Sequence, residues 1–541
     1  MSRSLLRLVV SLSLQVFKFA IVVTRMLFAI GIGAALHVSA AGIRPFMARA
    51  SIPAALIAIG AASVWLATAM AILFFAAGPD VLGPAVVILG PATIVLAIQL
   101  NRWARPFAYA YRRGTQIVGT TPPRMFMPSR PYTVSITDRL QHVAVTGATG
   151  SGKSSLVANL VVADIVRGAG VIVIDPKDSL VDEISRHAPA HRIDDIILWD
   201  ATDTALPFGF NPLAGVSPER RTLATAELVA VLRRLFPDSW GPRLQHILTN
   251  VVLALTEVPG ATLLDIQRLL LDPGYRANVV GEFLTNPGVR QFMVQEFEPM
   301  LARRSDALTP ILNKVGMFGA YPELRNCIGQ QTSSFDLRNV MDSSRVLLVR
   351  LPQGSLGEDV ASLLAGLLVA KIQLAAHSRV DTPPDRRRPV WLYCDEFQTY
   401  VTSSFERILA ESRAFGLGLI CANQYAEQLS GPVRLAVAHN AATAVHCRVE
   451  RGHHLLELMP LERTEQDLPP IRLEPPPPLP PGDPARAAQI REHSRKLYGR
   501  PRAEVEELLS QRGSGTALPP RKSPNGVPVG SRSPGADIYE E

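Results

Sequence analysis

A glycine-dense octapeptide, Gly147-Ala148-Thr149-Gly150-Ser151-Gly152-Lys153-Ser154, lies between the apolar run Gln141–Thr146 and the helix-forming run Ser155–Val166. The spacing G-x-x-x-x-G-K-[ST], entered from a strand and left by a helix, is that of a phosphate-binding loop. Its glycines let successive backbone N–H groups curl around an anion, and the N-terminus of the following helix adds a favourable dipole. Gly147, Thr149, Gly150, Ser151, Gly152, Lys153, Ser154 and Ser155 are therefore the expected nucleotide-binding set. Lys153 would neutralise the β- and γ-phosphates of ATP, and the Ser154 hydroxyl would hold Mg2+. A loop of this kind also constrains the chain around it, because it needs a buried strand feeding a helix.

Short β-branched runs do recur: Gln141–Thr146, Val171–Asp175, Ile196–Asp200, Val346–Leu351, Val390–Cys394, Leu417–Cys421 and Ala444–Val449. Several are nearly continuous in apolar residues, as strands of a parallel sheet covered on both faces are. Helical patterns follow them, so the expected class is α/β, wound on both sides. Between the third and fourth runs the spacing turns helical with few strand signals. The division that results is a P-loop domain over 131–217 and 325–467, interrupted by an all-α insertion domain over 218–324.

A phosphate-binding loop hydrolyses nothing alone. The run Val390-Trp391-Leu392-Tyr393-Cys394-Asp395-Glu396 supplies a buried strand that ends in two acids, Asp395 for the magnesium shell and Glu396 to polarise the attacking water. Arg413 lies just before the next strand and Gln424 at its end. They fit the cation that meets charge spreading over the γ-phosphoryl oxygens and the polar group that registers their departure.

The charge distribution is lopsided. Of the 55 Lys and Arg, twelve fall in residues 1–137, with one acid, Asp80; the remainder holds 43 bases against 46 acids. The overall charge of +8 therefore belongs to the N-terminal segment and says nothing for DNA binding by the rest. Residues 52–77 and 81–100 are uncharged stretches long enough to cross a bilayer, separated by Gly78-Pro79-Asp80 and flanked by arginines (Arg44, Arg49, Arg102, Arg105, Arg112, Arg113). This predicts a transmembrane hairpin over 51–101 with both ends cytoplasmic. In the preceding segment, 1–50, Arg3, Ser4, Arg7, Ser11, Gln15, Lys18 and Arg25 share one stripe of a helix, which predicts a basic amphipathic helix on the membrane surface, a third span being the alternative.

A Pro- and Arg-rich connector covers 102–130. After the core come a Pro-rich stretch over 468–484, expected to be a stiff linker, a helical piece over 485–512 and a tail over 513–541 with the composition of disorder. The four cysteines are scattered without a C-x-x-C pair, and the adjacent His453 and His454 read as part of a helix surface rather than a metal site. The order Gln428-Leu429-Ser430-Gly431 after the carboxylates excludes an ABC-transporter signature, and Asn313-Lys314-Val315-Gly316 lacks the carboxylate that reads guanine.

Taken with the segments "VIVIDPKDSL", "FGFNPLAG", "RVLLVRLPQGSLGED", "WLYCDEFQ" and "RAFGLGLICANQ", the loop "GATGSGKSS" makes the chain resemble the type IV secretion coupling proteins of the VirD4/TraG/TraD group. These are conjugative DNA-transfer ATPases of the HerA/FtsK class of P-loop proteins. The resemblance runs from the membrane hairpin to about residue 510. It implies a RecA-like core and a homohexameric ring in the bacterial inner membrane, with ATP between subunits. Its implied partners are DNA, a relaxase or relaxosome, and the secretion channel. On that resemblance Arg413 is the arginine that reaches the neighbour's ATP, with Arg448 a weaker candidate, and Gln424 senses the γ-phosphate. The competing readings are an FtsK- or HerA-like translocase in chromosome handling and a membrane receptor that recruits protein substrates.

Overall fold

The computed structural model describes residues 115–122, 130–303, 308–401, 404–450, 452–459 and 470–513. The amphipathic segment, the membrane hairpin, the first part of the connector and the tail beyond 513 lie outside the described residues.

The seven apolar runs become strands β3 (Val143–Thr146), β4 (Gly170–Asp175), β5 (Ile196–Asp200), β6 (Val346–Arg350), β7 (Val390–Cys394), β8 (Leu417–Asn423) and β9 (Thr443–Glu450). All seven run parallel in one nine-stranded sheet of order β11-β10-β9-β3-β8-β7-β4-β6-β5, whose last members, β10 (His453–Met459) and β11 (Ile471–Leu473), extend the β9 edge antiparallel. Strands β4, β7 and β8 are buried at every residue, which explains why their sequences are apolar without alternation. Successive side chains still go to opposite faces. Ile172, Ile174, Ile197, Trp199, Leu347 and Leu392 belong to one core; Val171, Val173, Ile196, Leu198, Val346 and Tyr393 belong to the other.

The second face is covered by the helices Lys153–Val166 and Ser179–His187. On the first lies Glu358–Ser378, a helix buried on nearly all sides because the helix Arg221–Leu235 packs over it, with Val231 against Gly366. Among the described residues the segment Glu358–Asp381 is the one helix long and apolar enough to cross a bilayer (mean hydropathy 1.6), and 78% of its apolar window is buried inside the protein. Residues 218–324 hold helices and no strand among their described residues. Their core does not stand apart, since Leu228, Ile247, Phe297 and Phe318 join the same buried cluster as Ile172 and Trp199.

Three segments differ from their sequence readings. The connector contains strand β1 (Gln116–Thr120), which pairs antiparallel with β2 (Pro131–Val134). The Pro-rich stretch is no free linker: β11 pairs with β10, Thr120 and Glu474 exchange backbone hydrogen bonds, and Leu473 is fully buried. His453 and His454 begin β10 and lie on a strand, not a helix. Further on, the helix Pro484–Tyr498 covers the outer edge of β5. There Ser494 Oγ accepts from the Leu198 N–H at 2.9 Å, occupying a donor that an open edge would leave free.

Beneath the sheet an ion pair is sealed in. Arg139 makes a two-pronged contact with Asp164 at 2.9 and 2.5 Å, donates to the Tyr393 hydroxyl at 3.0 Å and lies 3.8 Å over the Trp391 ring. Tyr393 in turn donates to Asp164 at 2.6 Å, and both ionic partners are almost fully buried. Removing one partner leaves a buried charge unpaired, which typically costs about 3–5 kcal/mol. Asp164→Ala is expected to lower stability by about that amount in guanidinium unfolding; a loss under about 1 kcal/mol would show that the pair contributes nothing net.

Candidate nucleotide site

The P-loop leaves β3 at its carboxyl end. Gly147 donates its N–H to Asn423 O at 3.3 Å and passes so close to β9 that a Cβ there would stand 2.8 Å from the Cys447 Cβ. Gly152 has φ +91°, a left-handed conformation that a side chain would strain, and from it the helix Lys153–Val166 starts with no side chain capping its first N–H groups. Those donors therefore face the loop, where an anion would satisfy them.

The acids arrive from β7, two strands away, with β8 between it and β3. Asp395 follows β7 directly, anchored by its N–H to Ile174 O at 3.2 Å. Its carboxylate is buried, and Oδ1 has no hydrogen-bond partner among the described residues. Glu396 is held at φ +44°, ψ +44°, a left-handed turn uncommon for a non-glycine residue, which brings its side chain back over the P-loop. Four donors converge on it. Lys153 Nζ stands 3.3 Å from Oε1, Lys177 Nζ also binds Oε1, Gln398 Nε2 donates to Oε2 at 2.5 Å, and Gln424 Nε2 lies 3.5 Å from Oε2. Lys153 is also 3.8 Å from Asp395 Oδ1.

The two carboxyls are driven apart in acidity. Burial pushes Asp395 up, outweighing the lowering by Lys153. Burial pushes Glu396 up as well, but the hydrogen bond from Lys177 and the charge of Lys153 outweigh it and hold its pKa at about 2. A fully ionised Glu396 is the consequence at neutral pH. The orphaned, buried Asp395 Oδ1 and the exposed hydroxyl of Ser154, the residue after Lys153, are oxygen donors of the kind Mg2+ takes.

Sequence reasoning therefore finds Lys153, Asp395, Glu396 and Gln424, which the fold brings together. It gives no role to Asp175 or Lys177. Asp175, fully buried, accepts from the backbone N–H groups of Lys177, Asp178 and Val181, so it shapes the turn after β4. Lys177 is delivered by that turn to Glu396. The carboxylate and lysine are 219 residues apart, and no local spacing signals the pair.

Arg413 is placed elsewhere. It sits in the turn Ser412–Phe415, before the amino end of β8, while the P-loop lies at the carboxyl ends of the strands. Seven strand residues separate the two ends, roughly 20 Å at strand rise, so Arg413 does not serve the P-loop of its own chain. Its guanidinium is exposed and makes no hydrogen bond or ion pair among the described residues. Arg448, in contrast, is paired with Glu457 across β9 and β10 at 3.2 Å.

No curated protein matches the chain. Among solved structures, the plasmid coupling protein TrwB in complex with ADP and Mg2+ is 16% identical, with a TM-score of 0.42 over 66% of this chain and 81% of its own. TrwB with the non-hydrolysable ATP analogue ADPNP is 16% identical, with a TM-score of 0.40 over 69% and 89%. VirB4 of Thermoanaerobacter pseudethanolicus is 16% identical, with a TM-score of 0.43 over 62% and 85%. Residues 128–179, which contain β3, the P-loop and β4, match the family model of the central domain of the helicase HerA, and the chain is similar to the P-loop ATPases of that class.

Proposed function

We propose that the chain is an ATP-driven motor, anchored in the bacterial inner membrane, that moves DNA into a type IV secretion channel. The observation that carries the ATPase part is the convergence of Lys153, Asp395, Glu396 and Gln424 at one end of the sheet. Lys153 and the uncapped helix N-terminus bind the β- and γ-phosphates. Ser154 and Asp395 hold Mg2+, which when bound screens phosphate charge. Glu396, ionised, accepts a hydrogen bond from the attacking water and orients it, and Gln424, beside it, registers the γ-phosphate.

The missing part is a cation for the transferring phosphoryl group from outside the chain's own site. Arg413, exposed and without a partner among the described residues at the far end of the sheet, supplies it to the next copy of a homohexameric ring. Such a ring can grip DNA although each subunit is not strongly basic, because phosphate contacts from all subunits add. The DNA cargo and the relaxosome and channel as partners are supported by the sequence resemblance, and the membrane hairpin by the uncharged spans and the charge pattern of residues 1–137.

The test is steady-state ATP hydrolysis by the full chain in detergent, with and without single- and double-stranded DNA. Stimulation by DNA that disappears in EDTA and in Glu396→Gln is expected. Hydrolysis indifferent to DNA in an assembled ring would favour a receptor for protein substrates instead.

A further inference from the structure

His142 is the residue immediately before β3, and nothing in the phosphate-binding motif requires it. It is 1% exposed and stands at φ +69°, a left-handed conformation uncommon for a side-chain-bearing residue. Both ring nitrogens are used. The Leu419 N–H donates to Nδ1 at 3.0 Å, and Nε2 faces Leu409 O at 3.0 Å. A backbone N–H can only donate, so Nδ1 is the acceptor and the proton sits on Nε2, which donates to Leu409 O. Burial, with the nearby Arg413 charge adding to it against the raising effect of the Leu409 carbonyl, takes the imidazole down to a pKa of about 4, which keeps it in this neutral tautomer.

Leu409 and Leu419 bracket the segment that carries Arg413. The rest of that segment is pinned too: Ser412 Oγ donates to Leu417 O at 3.1 Å, Arg387 Nη1 to Ala414 O at 2.5 Å and Arg379 Nη1 to Phe415 O at 2.8 Å. Gly416 closes it at φ +73°, where a Cβ would stand 3.2 Å from Arg379 Nη1. Backbone groups around Arg413 are thus fixed from several sides while its guanidinium stays free, on the rim of a cavity of about 650 Å³ lined also by Leu140, Arg387, Glu411 and Phe415. A rigid base under an unpaired cation is the arrangement expected of a group that acts on something outside the chain. Of the contacts that make the base rigid, His142 is the one that comes from the strand leading into the P-loop.

We propose that His142 is a positioning residue, tying the P-loop strand to the Arg413 segment so that the guanidinium offered to a neighbouring copy is held in register with the chain's own nucleotide site. The inference rests on the reading of Arg413 as acting between subunits.

A double-mutant cycle in the full chain tests it, with kcat for ATP and the Kd of a fluorescent ATP analogue as readouts. His142→Ala is expected to lower kcat about 10- to 100-fold, as misplacement of a catalytic group does, with Kd changed less than about twofold. In an Arg413→Ala background the same change should cost nothing further, because the group it positions is gone. His142→Asn, which tolerates positive φ and keeps an acceptor for the Leu419 N–H, should recover most of the loss. Losses that multiply in the double variant, or a Kd that weakens along with kcat, would overturn the inference and leave His142 a support of the sheet. If Arg413→Ala alone leaves kcat intact, the intersubunit reading fails first and the inference falls with it. Should His142→Ala not fold, His142→Phe, which keeps the ring's bulk and neither of its hydrogen bonds, takes its place in the cycle and is read by the same criterion of additivity.

Discussion

Lys153→Ala is expected to remove nucleotide binding and turnover together, to below about one-thousandth of the wild-type rate. Lys153 is the P-loop's own cation, on the first residue of the helix that leaves the loop, buried at 6% exposure and contacting both Asp395 and Glu396. Its loss has two effects. The phosphates lose their main point charge, and the two adjacent carboxylates lose a shared counter-ion, so the site becomes net more negative where an anion must enter. Glu396→Gln separates these effects, because it keeps Lys153 and removes a carboxylate. That variant is expected to bind the nucleotide at least as tightly as wild type while hydrolysis stalls. Equilibrium binding beside single-turnover hydrolysis distinguishes the two variants; unchanged ATPase in either would remove these residues from the site.

For Arg413→Ala the second large effect is expected, a fall in kcat of about 10³-fold or more with nucleotide binding retained, the scale of an arginine supplied to a phosphoryl-transfer site. Position decides how the result is read. Because Arg413 lies at the opposite end of the sheet from its own P-loop, the proposed role requires a site formed with another copy. Mixing Arg413→Ala with Lys153→Ala protein should therefore restore part of the activity, since some junctions then combine an intact P-loop with an intact arginine. Mixed rings as inactive as either variant alone would contradict the intersubunit assignment.

How much of this could be read in the sequence depends on the range of the interaction concerned. The P-loop and the acids after β7 are local patterns, legible because the chemistry demands fixed spacing along the chain. The parallel strands are legible for a related reason, since burial on both faces leaves runs such as Val171-Ile172-Val173-Ile174 with no polar residue. The antiparallel edge obeys neither rule. β10 begins with two exposed histidines and sets Glu457, which pairs with Arg448 and Arg472, between the buried Leu456 and Leu458, so its composition mixes cross-strand partners with core residues and gives no continuous apolar run. β11 is three residues beside a proline run, a strand only because β10 is there to pair with it. Lys177 with Glu396 and His142 with Leu419 join residues 219 and 277 positions apart, distances at which folding, and not spacing, makes the pair.

ATP hydrolysis at this site is expected to drive movement along DNA. Displacement of streptavidin from end-biotinylated DNA, single- and double-stranded, by the full-length protein tests it most directly. Displacement that requires ATP and Mg2+, on at least one of the two substrates, is expected, and its loss in Glu396→Gln. Robust ATP hydrolysis with no displacement from either substrate would contradict it.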